Sequence, residues 1–224
     1  DAAALFDRLA SQGVLYAYTE ESLAKFRALI PHKGRILDIG CGDGMTGAAL
    51  ENDFTVAFDI SPRCAVLAHR RGLKALVADA SLQLPFANVS FDTIVCFDVL
   101  HHLGGIWDNV FDEGTRVLRP GGAWVIVEPD GRNPFVRWTQ APGSPMRVAP
   151  FDNEPAIDPA DLENHLKQRG YTFERKPIHI EARQLERSIF PLWQRLLKAP
   201  FVLMLHFLYR NVPNKFVVTA LKPR

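Results

Sequence analysis

The residues best able to do chemistry in this chain stand at the ends of three apolar runs. "ILDIGCGDGMTG", residues 36 to 47, places Asp38 two residues before Gly40, with Cys41 and Gly42 next and Gly44 and Gly47 following. "VAFDIS" ends on Asp59 and Ile60, and "VADAS" places Asp79 beside Ala80. Glycines packed this closely after a strand let the backbone approach a ligand. A dinucleotide fingerprint reads G-x-G-x-x-G and sets a pyrophosphate on a helix N-terminus, whereas the spacing here is G-x-G-x-G. An anion at Asp38 would repel pyrophosphate and attract an ammonium. A carboxylate such as Asp59, about twenty residues on, accepts hydrogen bonds from both ribose hydroxyls. At the next strand end Asp79 can accept from an adenine amino group while the Ala80 N–H meets a ring nitrogen. Any one of these acids alone reads as a helix cap or turn acid. Together they describe a site for ribose, adenine and a cationic amino-acid tail, which is S-adenosylmethionine.

The elements that must position these acids follow from hydrophobic pattern. "RILDIG", "FTVAFDI", "KALVADA", "FDTIVCFD" and "GAWVIVEPD" are short apolar runs of strand length bounded by turn formers. Helix-length patterns lie between them near 44 to 52, 61 to 72 and 106 to 118. Two helices precede the glycine turn, "AAALFDRLA" and "TEESLAKFRALI", the second with Thr19 as N-cap and Glu20 and Glu21 in its first turn. Strands alternating with helices, and apolar without interruption, predict a doubly wound parallel sheet covered on both faces. "PADLENHLKQRG" reads as a helix closed by Gly170, and "YTFERKPIHIEA" and "KFVVTALK" as closing strands.

The motifs "ILDIGCGDG", "VAFDIS", "VADASLQLPFANVSFDTIVCFDVLHHL" and "RVLRPGGAWVIVEPD" occur in an order that resembles the class I S-adenosylmethionine-dependent methyltransferases, in particular the small-molecule branch called the methyltransferase 11 type. The resemblance covers about residues 34 to 130. It implies a Rossmann-like, mostly parallel seven-stranded α/β sheet with an antiparallel last strand. By it, Gly40 and Gly42 approach the methionine part of the cofactor, Asp59 holds the ribose, and Asp79 and Ala80 meet adenine. Phe97 would offer its backbone carbonyl to the methionine amine, and Leu84, Pro85 and Phe86 an apolar lip near adenine. Tyr16 and Tyr18 stand where family members place an aromatic cover over the cofactor; packing beneath the N-terminal helices is the equal alternative. Cys41 sits inside the turn without a neighbouring base to activate it.

Methyl transfer from a sulfonium expels a neutral thioether, so positioning supplies most of the rate and a base is needed chiefly for hydroxyl acceptors. His101 and His102, in "DVLHHL", follow the fourth strand where such acceptor pockets open, and His101 is the candidate base. Glu128 could face the acceptor or cap a loop, and Asp98 could be a partner for a backbone N–H. The Asn-Pro-Pro-Tyr clamp for planar amines is missing, "CFDV" standing in its place.

The chain has 224 residues, 47% of them hydrophobic, which suits one domain of 1 to 224. Its parts would be N-terminal helices over 1 to 33, a cofactor core over 34 to 130, and insertions at 131 to 158 and 183 to 214. A net charge of +1 lacks the field of proteins that grip a phosphate backbone, so no nucleic-acid partner is expected. Three cysteines without C-x-x-C spacing suggest neither disulfides nor a metal site, and point with the absence of a signal-like start to the cytoplasm. "IFPLWQRLLKAPFVLMLHFLYR", 189 to 210, is apolar and basic but broken by prolines and charges, hence too interrupted to span a membrane. It reads as a helical insertion that covers the sheet edge, roofs a hydrophobic acceptor, touches a membrane surface or forms a dimer face. Arg132, Arg137 and Arg147 could bind an acidic group on the acceptor. Two alternatives share the first half of the chain, a noncatalytic S-adenosylmethionine-binding partner protein and a nicotinamide oxidoreductase. An aminopropyl transferase lacks its acidic polyamine cluster.

Overall fold

The computed structural model describes residues 2–11, 17–31, 34–141, 156–180, 182–183 and 213–224. Two helices, α1 (Ala2–Ser11) and α2 (Glu20–Ala28), flank a two-residue strand β1 (Ala17–Tyr18). Thr19 caps α2 by accepting from the Ser22 N–H, as its sequence predicts. The core then alternates: β2 (Ile36–Ile39), α3 (Met45–Ala49), β3 (Thr55–Asp59), α4 (Pro62–Arg70), β4 (Lys74–Val77), β5 (Phe91–Phe97), α5 (Asp108–Val117) and β6 (Leu118–Pro129). After it come α6 (Pro134–Gln140), α7 (Pro159–Gln168), β7 (Thr172–Ile178), β8 (Ala182–Arg183) and β9 (Lys215–Leu221). Seven strands form one sheet in the order β4-β3-β2-β5-β6-β9-β7. Parallel pairing runs from β4 to β6, and β9 lies antiparallel to both its neighbours. The antiparallel last strand is as expected; β1 and β8 add a separate antiparallel pair that the pattern did not announce.

Alternation along the central strands explains why the sheet is buried on both faces. Leu37, Ile94, Cys96, Trp124, Ile126 and Val218 point to one face, packing with Val110 and Phe111 of α5 and Leu162 and Leu166 of α7. Ile36, Val95, Phe97, Val125, Val127 and Val217 point to the other, against Leu23 and Phe26 of α2. Each large apolar side chain fully buried in this way stabilises the fold by about 1.5–3 kcal/mol over leaving it in water. The result is a rigid platform whose strand ends carry the acids.

Within the insertion expected over 131 to 158, α6 forms a helix that the sequence reading did not include. Asn133 accepts from the N–H groups of Phe135 and Val136, and Pro134 occupies the first turn, a pairing that starts helices well. Tyr16, Arg147, residues 142–155 and the apolar segment 189 to 210 lie outside the described residues. Among the described residues no helix is long and apolar enough to cross a membrane.

Candidate active site

The glycine turn links β2 to α3 at the carboxyl edge of the sheet, where open α/β sheets bind their ligands. Gly42 takes φ 54°, and a Cβ there would meet nothing within 4 Å, so the turn faces open space. Asp38 does not project from this turn. It is 1% exposed, and a Cβ on Gly47 would lie 2.6 Å from its Oδ2, so the absent side chain of Gly47 makes room for the carboxylate. That Oδ2 has no hydrogen-bond partner. Burial, reinforced by Asp59, pushes the Asp38 carboxyl up to about 8. A buried acceptor without a donor is costly unless a ligand completes it. An ammonium would complete it.

Asp59 proves to have a structural duty that its spacing did not reveal. Oδ2 accepts from the Gly42 N–H at 2.9 Å and Oδ1 from the Ser61 N–H at 2.9 Å. The carboxylate therefore fixes the glycine turn, and each oxygen keeps a lone pair for a ribose hydroxyl. Burial raises its pKa even though both N–H groups favour the anion. Ile60 is half-buried between Asp59 and Ser61. Asp79 spends Oδ1 on the N–H and hydroxyl of Ser81, at 2.8 and 2.7 Å, leaving Oδ2 for a ligand. Ala80 is buried beside it. Leu84 is buried in the core and Phe86 packs against it, and Arg116 holds both their carbonyls. Cys41 is 4% exposed and its thiol is pushed well up by burial and by Asp38, so it stays an inert thiol.

Tyr18 packs edge-on against Phe26, which stacks on Phe97 at 4.6 Å. Its hydroxyl donates to Asp98 Oδ2 at 2.5 Å. Asp98 sits at φ 59°, a conformation rare for a non-glycine residue, and its other oxygen pairs with Lys215. Burial opposes its ionisation, yet Lys215 and His101 outweigh burial and hold its carboxyl below the usual range. Nothing local in the sequence joins Tyr18, Asp98 and Lys215, which are brought together by β1, the end of β5 and the start of β9.

His101 is 6% exposed, and its Nδ1 meets Glu128 Oε2 at 2.6 Å. The other Glu128 oxygen accepts from the Val99 and Leu100 N–H groups at 2.9 and 2.7 Å. Burial works to strip the imidazole of its proton, but Glu128 and Asp98 prevail and the His101 pKa is raised. With Nδ1 committed to a carboxylate, Nε2 is left as the nitrogen that can exchange a proton. Asp98, His101 and Glu128 also bring three potential metal-ligating atoms within 4.8 Å of one another. Lys215 on Asp98 and the proton between His101 and Glu128 already fill the roles a cation would take.

A platform with a glycine turn, a buried unpartnered acid close to it and acids at the next two strand ends is the arrangement that the resemblance to class I S-adenosylmethionine-dependent methyltransferases implies. Residues 37–126 match the model of a methyltransferase domain, of the methyltransferase 11 type. The cofactor that this match implies is S-adenosylmethionine. Among curated relatives, a tRNA (carboxymethyluridine(34)-5-O)-methyltransferase of Arabidopsis thaliana is 30% identical over 59% of this chain. A 27-O-demethylrifamycin SV methyltransferase of Amycolatopsis mediterranei is 36% identical over 41% of it. The chain spans 37% of the length of each. A solved Thermotoga maritima structure, described as a possible histamine N-methyltransferase, shares the fold over 98% of this chain and 99% of its own, with a TM-score of 0.69 at 17% identity.

The residues present fit the cofactor on two structural grounds, the orphaned Asp38 oxygen and the open space before Gly42. Asp59→Ala is expected to weaken S-adenosylmethionine binding by about 1.5–3 kcal/mol for each hydrogen bond lost to the charged acceptor. It should also lower the melting temperature, because Gly42 and Ser61 lose their acceptor. Calorimetry and thermal unfolding read the two effects; unaltered binding would overturn the ribose assignment.

Proposed function

We propose that this protein transfers the methyl group of S-adenosylmethionine to a small, hydrophobic or lipid-like metabolite. The observation that carries the reading is Asp38, a fully buried carboxyl group whose Oδ2 lacks a donor and lies beside Gly47, just after the glycine turn. When bound, the cofactor supplies an electrophilic methyl group on a sulfonium that departs as a neutral thioether. Asp38 would receive the cofactor's ammonium, Asp59 and Asp79 its ribose and adenine, and the Phe97 carbonyl the same amine from the other side. His101 would take the proton of an acceptor hydroxyl on Nε2 while Glu128 holds Nδ1–H, so that base and orienting group share one buried pair.

The acceptor class rests on the near-neutral net charge, on the missing planar-amine clamp and on the apolar segment 189 to 210. It is consistent with the relative named for a rifamycin substrate. A tRNA acceptor is the second reading, favoured by the relative named for tRNA carboxymethyluridine(34). It would require basic surface from outside this chain or from a partner. Incubating the protein with methyl-labelled S-adenosylmethionine and, separately, a metabolite and lipid extract or total tRNA distinguishes the two. Label is expected in an organic-soluble small molecule. Label in tRNA alone would replace the acceptor class, and label in neither would favour a noncatalytic binding role.

A further inference from the structure

The antiparallel last strand delivers a cation to the carboxyl edge of the sheet. Because β9 runs against β6, its first residue, Lys215, stands level with Pro129 at the end of β6. In the sheet β6 lies between β9 and β5, and the Lys215 side chain reaches past it to pair with Asp98 just after β5. The Lys215 side chain is 12% exposed and that of Asp98 7%, so the pair is shielded from solvent. The second Asp98 oxygen accepts from the Tyr18 hydroxyl at 2.5 Å.

This pair adjoins the candidate base. The ligating atoms of Asp98, His101 and Glu128 all lie within 4.8 Å of one another, so the imidazole is flanked by two carboxylates, of which Glu128 bonds to its Nδ1 at 2.6 Å. Among the described residues, the other titratable groups around His101 are Lys215 on β9, Tyr18 on β1 through Asp98, the His102 ring with its centroid 3.9 Å away, and Cys96 on β5. Burial pushes the Cys96 thiol well up, so it adds no charge.

Formal charges show what Lys215 does. With His101 neutral, Asp98, Glu128 and Lys215 sum to −1, and a proton on the imidazole brings the cluster to zero. Without Lys215 the same two states carry −2 and −1. A buried pair of uncompensated carboxylates is far more costly, so the imidazole would then hold its proton. Burial lowers the proton affinity of His101, Glu128 and Asp98 raise it, and Lys215 lowers it again, in line with this count.

We propose that Lys215 is a positioning residue of the acceptor site: by neutralising Asp98 it leaves His101 under one unbalanced carboxylate, Glu128, and so able to take a proton from an acceptor hydroxyl. The proposal rests on the reading of His101 as the base and adds what keeps that base usable.

An imidazole NMR titration of the full chain needs neither cofactor nor acceptor, and compares wild type with Asp98→Asn, Lys215→Met and the double variant. Asn tolerates the left-handed backbone at residue 98, and the double variant removes both buried charges together, so its fold is retained. The His101 midpoint should rise by about one pH unit or more in Lys215→Met, fall in Asp98→Asn, and return to within about half a unit of wild type in the double variant. Should Lys215→Met fail to fold, the double variant must still titrate above Asp98→Asn. A midpoint unmoved by Lys215→Met in both backgrounds, or moved the same way by both single changes, would overturn the role of Lys215. Incorporation of label from methyl-labelled S-adenosylmethionine into the metabolite and lipid extract, followed against pH, decides the base reading separately. Its acidic limb should follow the order of the midpoints; midpoints in that order with a rate indifferent to pH would overturn the base reading instead.

Discussion

Replacing Asp38 with Asn is expected to stabilise the cofactor-free protein at neutral pH and to weaken S-adenosylmethionine binding by about 2–5 kcal/mol, the usual cost of truncating one member of a buried charge pair. The two effects share one cause. The carboxyl is fully buried, one of its oxygens has no donor, and burial followed by the neighbouring Asp59 raises its pKa to about 8. In the unfolded chain the same group titrates near 3.8. Between those values the folded state keeps a proton that the unfolded state releases, so stability falls as pH rises through the window. Asn cannot ionise, and its unfolding curves should lose this part of the pH dependence. Urea unfolding at about pH 5 and about pH 8 compares the slopes. A second consequence concerns binding. At neutral pH the empty site holds a neutral Asp38, whereas an ammonium beside it favours the carboxylate, so binding should release about one proton in the wild type and none in the variant. Calorimetry in buffers of different ionisation enthalpy counts that proton. Equal proton release by the two proteins would place the ammonium elsewhere.

That Asp38 and Asp59 stand at the ends of strands was legible because each signal is local. A strand, a turn and a strand-end acid fit within ten residues, and three such units in order leave few ligands that satisfy them all. The sheet was legible for a related reason, since strands covered on both faces are continuously apolar and stand out between amphipathic helices. Less accessible was anything assembled across the chain. Tyr18, Asp98 and Lys215 are separated by 80 and 117 residues, and no spacing rule links them. Asp59 was assigned a ligand, but its first partners are the N–H groups of Gly42 and Ser61, a duty visible only once β3 lies against β2. The one miss with a local signal was α6. Asn133 followed by Pro134 marks a helix start, and the surrounding Pro and Gly content obscured it.

Glu128 should show how far the acceptor side depends on a single buried group. Its carboxylate is 0% exposed and satisfies three donors, the Val99 and Leu100 N–H groups through one oxygen and His101 Nδ1 through the other. Glu128→Ala leaves all three without an acceptor, for which a loss of about 1–3 kcal/mol for each buried donor left unsatisfied is expected. Glu128→Gln is more informative. The amide oxygen can still serve Val99 and Leu100, but the amide nitrogen then faces His101 and donates to Nδ1. Only the neutral tautomer with the proton on Nε2 fits, so the lone pair that would accept a proton is turned away from the acceptor. Transfer to a hydroxyl acceptor should drop by about 10²–10⁴-fold with the fold retained. Because the His101 pKa is raised in the folded protein, the pair stabilises the wild type fully below the unfolded value of 6.5 and loses that contribution as pH climbs through the raised one. Glu128→Gln should lack this decline and should not regain activity at high pH. A Gln variant that transfers methyl groups at the wild-type rate would remove His101 from the chemistry and leave Glu128 as a brace between β6 and the turn after β5.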